Sequence, residues 1–369
     1  MAQNKHGLSR DFIIHPGETI AEFLEEKNMS QKELAIRCGV SEKHVSTVIS
    51  GQKNISVDFA KKLEYALEID AIFWINLQTN YDKDIIEFEE INNISEEELS
   101  LLSKFKDIFK EYRKYGFLES NLSKVDEVLE ARKLFKVSNL LQIQKISHVG
   151  AYRINNNNSA DEYIMYAWER LCELIDENND DFEKEQCNNN FDIEFLKSSI
   201  DDIKKIMFLE PNEIIQKLRE IFLKCGISFY LMKNFTGAPV QGYIRKNTRD
   251  GLSLYMTIRG SYADIFWFSL FHEIGHIING DVKNNFIDYN TMPDEIEKRA
   301  NEYAANCLIS KKSYVEFIKT SNFDLESIIE LANKNNVKPY ICIGRLMKEN
   351  YIKWNQYSSY RERYELIEN

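Results

Sequence analysis

Residues 29–51 read Met29-Ser-Gln-Lys-Glu-Leu-Ala-Ile-Arg-Cys-Gly-Val-Ser-Glu-Lys-His-Val-Ser-Thr-Val-Ile-Ser-Gly51, and they decide how the N-terminal part of the chain folds. Ser30 stands three residues before Glu33, the capping-box spacing that starts a helix. Leu34, Ala35 and Cys38 then share one face, and Gly39 ends it. Ser41 opens the next helix, with Val45, Val48 and Ile49 inward and Gly51 at its end. Two short helices joined through Gly39-Val40 make a helix-turn-helix. Around them, a helix is expected over 17–27 with Ile20, Phe23 and Leu24 inward. Another starts at Ser56 and carries Phe59, Leu63 and Leu67, and an apolar, aromatic one covers 71–81. From Ser41 onward the outer face of the second helix presents Glu42, Lys43, His44, Ser46 and Thr47, short or flexible donors of the kind that read base edges. Gln31 is expected to anchor to a phosphate or to buttress that helix, and Lys53 and Asn54 suit backbone phosphates.

The chain has 369 residues, 43% of them hydrophobic and 12% aromatic, enough for the cores of more than one domain. Its formal net charge of −12 argues against non-specific nucleic-acid binding by the molecule as a whole. The charge reverses locally: residues 30–62 carry six Lys/Arg and three acids. No apolar run reaches the roughly 18 residues of a membrane span, and Met1–Arg10 lacks an apolar signal core. The six cysteines are scattered singly without a CxxC pair. No membrane association is expected, and the expectation is a reduced, cytoplasmic protein.

Five segments follow from the pattern: helix-turn-helix domain 1–81, acidic linker 82–95, helical middle region 96–224, core 225–310 and helical extension 311–369. In the middle region helices are expected over 124–136, 160–176, 193–207 and 212–225, with Asn155–Asn158 and 177–191 as exposed loops. Strands are expected at 227–233, 239–246 and 252–259. The last alternates Leu252, Leu254, Met256 and Ile258 with Ser253, Tyr255, Thr257 and Arg259. It is read as an edge strand whose polar face meets either substrate or solvent. Helices over 263–279, 294–309, 311–319, 324–335 and 339–350 complete a mainly α fold with a small β-sheet in its C-terminal half. The order of 324–346 is again helix-turn-helix, read as packing rather than as a second DNA reader.

The helix 263–279 contains His272-Glu273-Ile274-Gly275-His276. Residues i and i+4 share a helix face, so both imidazoles can bind one zinc ion per chain. Glu273 is then placed as a general base for an attacking water. The neighbours Phe266, Trp267, Phe268, Leu270, Phe271, Ile277 and Ile278 make this helix apolar nearly all round, where two histidines and a glutamate are costly without a cation or partners. No histidine follows His276. The third ligand is therefore sought among Cys307, Cys342 and the carboxylates of 294–309. Glu297 is favoured over Glu295 and Glu302, because Asn301 lies one turn on and Ala300 and Ala304 permit close helix approach. Asn301 is expected to orient His272 or His276. An oxyanion donor is sought among Arg259, Tyr262, Tyr289 and Tyr303.

Two resemblances add to this. Residues 29–51 closely resemble the Xre/lambda-repressor-like family, a five-helix fold, and His15-Pro16-Gly17-Glu18 resembles the HigA-type antitoxin branch. The run from Phe266 to Ile278, followed by Ile296-Glu297-Lys-Arg-Ala-Asn301-Glu-Tyr-Ala-Ala, resembles the ImmA/IrrE metallopeptidase family. That resemblance implies a gluzincin-like minimal metallopeptidase fold with His272, His276 and Glu297 on zinc and Glu273 catalytic. The substrate it implies is a partner protein, a repressor or a toxin–antitoxin partner. One departure from the family is Leu308-Ile309-Ser310, where a small-apolar-Pro ending is usual. Together the two halves imply a regulator that binds operator DNA, as a homodimer on two half-sites, and cleaves a protein. The alternative is a HigA-like antitoxin and repressor that binds a toxin, with the zinc domain a non-catalytic sensor or scaffold.

Overall fold

Ser30, Ser41 and Ser56 each start the helix their spacing predicts. Their hydroxyls accept the amides of Glu33 (3.1 Å), His44 (3.2 Å) and Phe59 (3.2 Å). The computed structural model describes residues 10–146, 160–178, 191–247, 251–282 and 294–366. The chain divides into two units, Met1–Leu102 with Ser120–Ala131 and Ser103–Glu119 with Arg132–Asn369. The first contains α1 (Pro16–Glu26), α2 (Gln31–Cys38), α3 (Glu42–Ile49), α4 (Val57–Leu67) and α5 (Ala71–Asn92). Gly39 ends α2 in the left-handed region at φ 58°, where glycine costs least. Ile20, Leu34, Val45, Val48, Leu63 and Trp74 form the core.

His15-Pro16-Gly17 has a mechanical meaning. The Nδ1 of His15 accepts the Gly17 amide (2.9 Å) and Pro16 takes the first helical position. A Cβ on Gly17 would lie 2.1 Å from the carbonyl oxygen of Val48 and 2.8 Å from the Cα of Ile49. Only a glycine lets α1 rest on the end of α3.

The structure corrects the boundary at 81. α5 runs unbroken to Asn92, so most of the stretch read as an acidic linker is helix. Its start is tied to the domain. Ile55 donates its amide to Gln78 Oε1 (2.9 Å), and Gln78 and Asn54 both donate to Asp82 Oδ1 (2.8 and 3.3 Å).

α6 (Glu96–Lys114) and α7 (Lys124–Leu134) contribute residues to both units. In the second unit follow α8 (Ile143–Ile146), α9 (Glu162–Glu177), α10 (Ile193–Ser198), α11 (Ile200–Ile206) and α12 (Pro211–Lys224). The helix expected over 193–207 is two, broken at Ser199, whose hydroxyl turns back to the Phe195 carbonyl (2.8 Å). Residues 155–158 and 179–190 lie outside the described residues.

The strands are β1 (Ile227–Met232), β2 (Gly242–Lys246) and β3 (Leu252–Thr257), in the order β1-β3-β2. β3 pairs parallel with β1 and antiparallel with β2. The edge-strand expectation for β3 is thus overturned: β3 is central, β2 lies at an edge, and every residue of β3 is buried. Leu252, Leu254 and Met256 join the large apolar core. Within β3 the polar side chains Ser253, Tyr255 and Thr257 meet α9 and the chain before β2, while Arg259, beyond the strand, is half-buried. Ser253 and Tyr230 donate to Asp176 Oδ1 (2.7 and 2.9 Å), Tyr255 to the Cys172 carbonyl (2.9 Å) and Thr257 to that of Val240 (2.5 Å). Alternation survives burial because each hydroxyl finds an acceptor.

α13 (Ala263–Asn279) crosses this core and ends at Gly280, φ 72°. α14 (Asp294–Leu308), α15 (Lys311–Thr320), α16 (Leu325–Lys334) and α17 (Pro339–Lys348) follow. α17 buries Tyr340, Ile341, Cys342, Ile343, Leu346 and Met347 in the core. No helix among the described residues is long and apolar enough to cross a membrane.

Candidate metal centre and helix-turn-helix face

Helix periodicity sets His272 and His276 on one face of α13, and α14 brings Glu297 to them. The close approach needs small residues on both sides: a Cβ on Gly275 would lie 3.2 Å from the Ala300 carbonyl oxygen and 3.1 Å from Cδ1 of Tyr303. The two Nε2 atoms stand 3.0 Å apart. Glu297 Oε2 is 3.4 Å from His272 Nε2, and its Oε1 is 3.5 Å from His276 Nε2. These donors lie within 4.8 Å of one another. Four-coordinate zinc with bonds of about 2.0–2.1 Å separates its ligand atoms by about 3.3 Å, so the set fits a tetrahedral cation with one position left open.

Asp281 fixes the tautomer. His276 Nδ1 lies 3.2 Å from Asp281 Oδ2, and a carboxylate only accepts, so Nδ1 carries a proton and Nε2 is the nitrogen turned to Glu297, the one that would bind a cation once its own proton is lost. Asp281 is clamped in turn by Arg299 (2.6 Å) and its side chain is only 4% exposed. Burial alone would lower the pKa of His276. Hydrogen bonding to Glu297, with the charges of Glu273 and Glu297, reverses this and leaves it raised. Hydrogen bonds from His272 and His276 hold the Glu297 carboxyl well below the usual carboxylate range.

Glu273 is buried on the neighbouring face. Its carboxyl rests against the backbone of β2: a Cβ on Gly242 would lie 2.4 Å from its Cγ and 2.5 Å from Oε1. His272, Glu273 and Glu297 open into a cleft of about 1170 Å³.

Reading the residues missed Asp281 and Gly242. A signal for Asp281 existed in its position just beyond the Gly280 cap, one turn past His276. Asn301 lines the cleft; Asp281 orients His276, and His272 Nδ1 is buried without a hydrogen-bond partner among the described residues. Cys342 is buried in the core and Cys307 packs beside Tyr303, away from the cluster. Glu302 lines the cleft and Glu295 is exposed, and neither joins the donor cluster. Of the oxyanion candidates, Arg259 lines the cleft and donates to the Pro239 carbonyl (2.9 Å). Tyr262 is taken by Arg363 (2.7 Å), Tyr303 bonds Cys307, and Tyr289 lies outside the described residues.

On the helix-turn-helix, Gln31, Ser41, Lys43, Ser46, Lys53 and Asn54 are exposed. Thr47 is half-buried and donates to the His44 carbonyl (2.9 Å). His44 is also half-buried, edge-on to Phe59 (4.8 Å), with Nδ1 3.1 Å from Lys53 Nζ. Burial and the charges of Lys53 and Lys62 lower its pKa. His44 and Lys53 therefore buttress each other, and Ser41, Lys43 and Ser46 stay exposed, with Gln31 exposed at the start of α2. Asn54 is bonded to Asp82.

The helix-turn-helix family model matches residues 20–74, and the IrrE N-terminal-like domain model matches 265–346. Virulence-associated protein I of Dichelobacter nodosus is 35% identical over 75 residues, 20% of this chain and 69% of that protein. Among solved structures, a HigA-family addiction module antidote protein from Coxiella burnetii is 32% identical, covering 22% of this chain and 89% of that one, with TM-score 0.21. The Pseudomonas aeruginosa antitoxin HigA, solved with the higBA promoter, is 30% identical and covers 30% of this chain and 98% of that one, with TM-score 0.18.

Proposed function

From the premise that this chain belongs to the Xre-like helix-turn-helix family and joins to it an IrrE N-terminal-like peptidase domain, we propose that it is a cytoplasmic regulator that binds operator DNA and cleaves a protein partner. The observation carrying the enzymatic half is the convergence of His272, His276 and Glu297 at a large cleft with Glu273 beside them. His272, His276 and Glu297 would hold one zinc. When bound, zinc would polarise the scissile carbonyl and acidify water.

The chain's own groups do the rest. Asp281 keeps His276 turned to the site. Glu273 takes a proton from the attacking water as its oxygen bonds the carbonyl carbon, then delivers that proton to the amine nitrogen as the C–N bond breaks. The seat of Glu273 against Gly242 favours the enzyme over a zinc scaffold, because a scaffold has no need of a base. On DNA, Lys43, Ser41 and Ser46 meet the major groove, and two copies of the chain occupy two half-sites.

The test is elemental analysis of the purified full chain beside Glu297→Ala, followed by mapping of new N-termini in candidate repressors. About one zinc per wild-type chain, lost in Glu297→Ala, is expected, with cleavage that Glu273→Gln abolishes. A folded wild type without zinc sinks the peptidase. Zinc with partner binding unaffected by Glu273→Gln, and no new N-termini, would leave the antitoxin-like repressor.

A further inference from the structure

The cleft continues beyond the metal-binding residues, and its far part has its own chemistry. Along α13, His272, Phe268 and Ile265 follow one another on the wall. At 1.5 Å per residue, Phe268 lies about 6 Å and Ile265 about 10 Å from His272 along the axis. α14 lines the cleft with Glu297, Asn301, Glu302 and Ala305, and α17 with Arg345 and Lys348.

Several charges here are paired, while Lys298, beside Glu297, is exposed and has no carboxylate partner among the described residues. Arg361 holds Asp264 (2.8 Å), and Glu349 is taken by Arg345 (2.9 Å) and by the Tyr314 hydroxyl (2.7 Å). Glu302 is exposed on α14. The ammonium of Lys348 is different. It stands 4.7 Å above the ring of Phe268, and no carboxylate pairs with it among the described residues. The ring face steadies a cation without neutralising it.

We propose that Lys348 is a specificity determinant, and that the segment cut by this protein carries an acidic side chain about two residues from the scissile bond. This rests on the peptidase reading above. An extended peptide advances about 3.3 Å per residue, so a residue two places from the reacting carbonyl comes level with Phe268. Side chains two apart share a face of an extended chain. An aspartate or glutamate there meets Lys348 while the peptide backbone covers the ring. The occupant is thus an extended acidic segment of a protein, chosen by charge complementarity in a molecule otherwise strongly negative.

The test uses the full chain, zinc-loaded, on a mixture of peptides from a digested proteome, with the new termini sequenced by mass spectrometry. Asp and Glu should be enriched roughly fivefold at one position within three residues of the cut, the upper end for a partly exposed ion pair. Lys348→Glu should move the enrichment at that position to Lys and Arg, and Lys348→Met should erase it. An unchanged preference in both variants, or no preference in the wild type, overturns the proposal and leaves the peptidase standing. No cleavage of any peptide by wild type, with zinc present, overturns this proposal and the peptidase together.

Discussion

Gly242→Ala puts one methyl group against the proposed base. The added Cβ would lie 2.4 Å from Cγ, 2.6 Å from Cδ and 2.5 Å from Oε1 of Glu273, where ordinary contact begins at 3.4 Å. Something must move by about 1 Å. β2 is held by its ladder to β3, each bond contributing about 1 kcal/mol. An off-rotamer glutamate costs of order 0.5–1.5 kcal/mol in all. The side chain yields, not the strand. A misplacement of about 1 Å at a reacting group costs about a hundredfold, or about 2.7 kcal/mol of barrier. The assay is turnover of a quenched-fluorescent peptide that the wild type cuts, with zinc content and melting temperature measured on the same samples. We expect kcat/KM to fall about a hundredfold, zinc to stay at one per chain, and the melting temperature to drop by no more than about 3 °C. Gly242→Ala added to Glu273→Ala should cost nothing more, because the clash partner is gone. Wild-type turnover in Gly242→Ala would refute the reasoning. So would loss of zinc with activity, since the methyl would then be reaching the ligands.

Three further outcomes follow from geometry. Asp281→Ala frees the Nδ1 side of His276 and should weaken zinc binding roughly tenfold to a hundredfold, read by competition with a chelator; unchanged affinity would leave Asp281 a bystander. Gly17→Ala drives a Cβ into the Val48 carbonyl and should cost the first unit about 3 kcal/mol, read as lost hydrogen-exchange protection in α1–α4; full protection would mean α1 can slide away. Glu169 is pushed up to about 8, first by burial and then by Glu173, with Arg245 opposing. The folded chain therefore holds a proton that the unfolded chain gives up near pH 4.5, and this contribution is lost as pH rises from about 4.5 to about 8. Glu169→Gln should flatten that decline in melting temperature between pH 5.5 and 8, and equal slopes would contradict it.

Much of the fold was legible because its signals are local. Ser30, Ser41 and Ser56 cap within three residues, Gly39 and Gly280 stop helices in place, and His272 and His276 share a face by periodicity alone. Glu297 was legible at one remove, since small residues at Ala300 and Ala304 mark where two helices touch. The stretch 82–92 misled because its charges announce solvent without saying what the backbone does. Asp82 turns inward to Gln78 and Asn54, a tie across 28 residues that no window of composition contains. His44 misled in the opposite sense: on a helical wheel it points outward, but Phe59 of α4 reaches it.

The strands show where such reading stops. Alternation in Leu252–Thr257 states that two faces differ and not that one of them is wet. α9 supplies Asp176 and the Cys172 carbonyl, so the polar face is spent on hydrogen bonds inside the unit. The same missing information, strand order, hid the seat of the base. Gly242 meets Glu273 only because β2, not β3, lies at the edge beside α13, in a register that pairs Gly242 with Met256. A slip of one residue in that pairing turns every side chain of β2 to the other face and brings a neighbour, Gln241 or Tyr243, to the place where a single methyl group already collides. The register of a short strand and the position of the proposed base are thus one constraint, and a glycine is the residue that satisfies it.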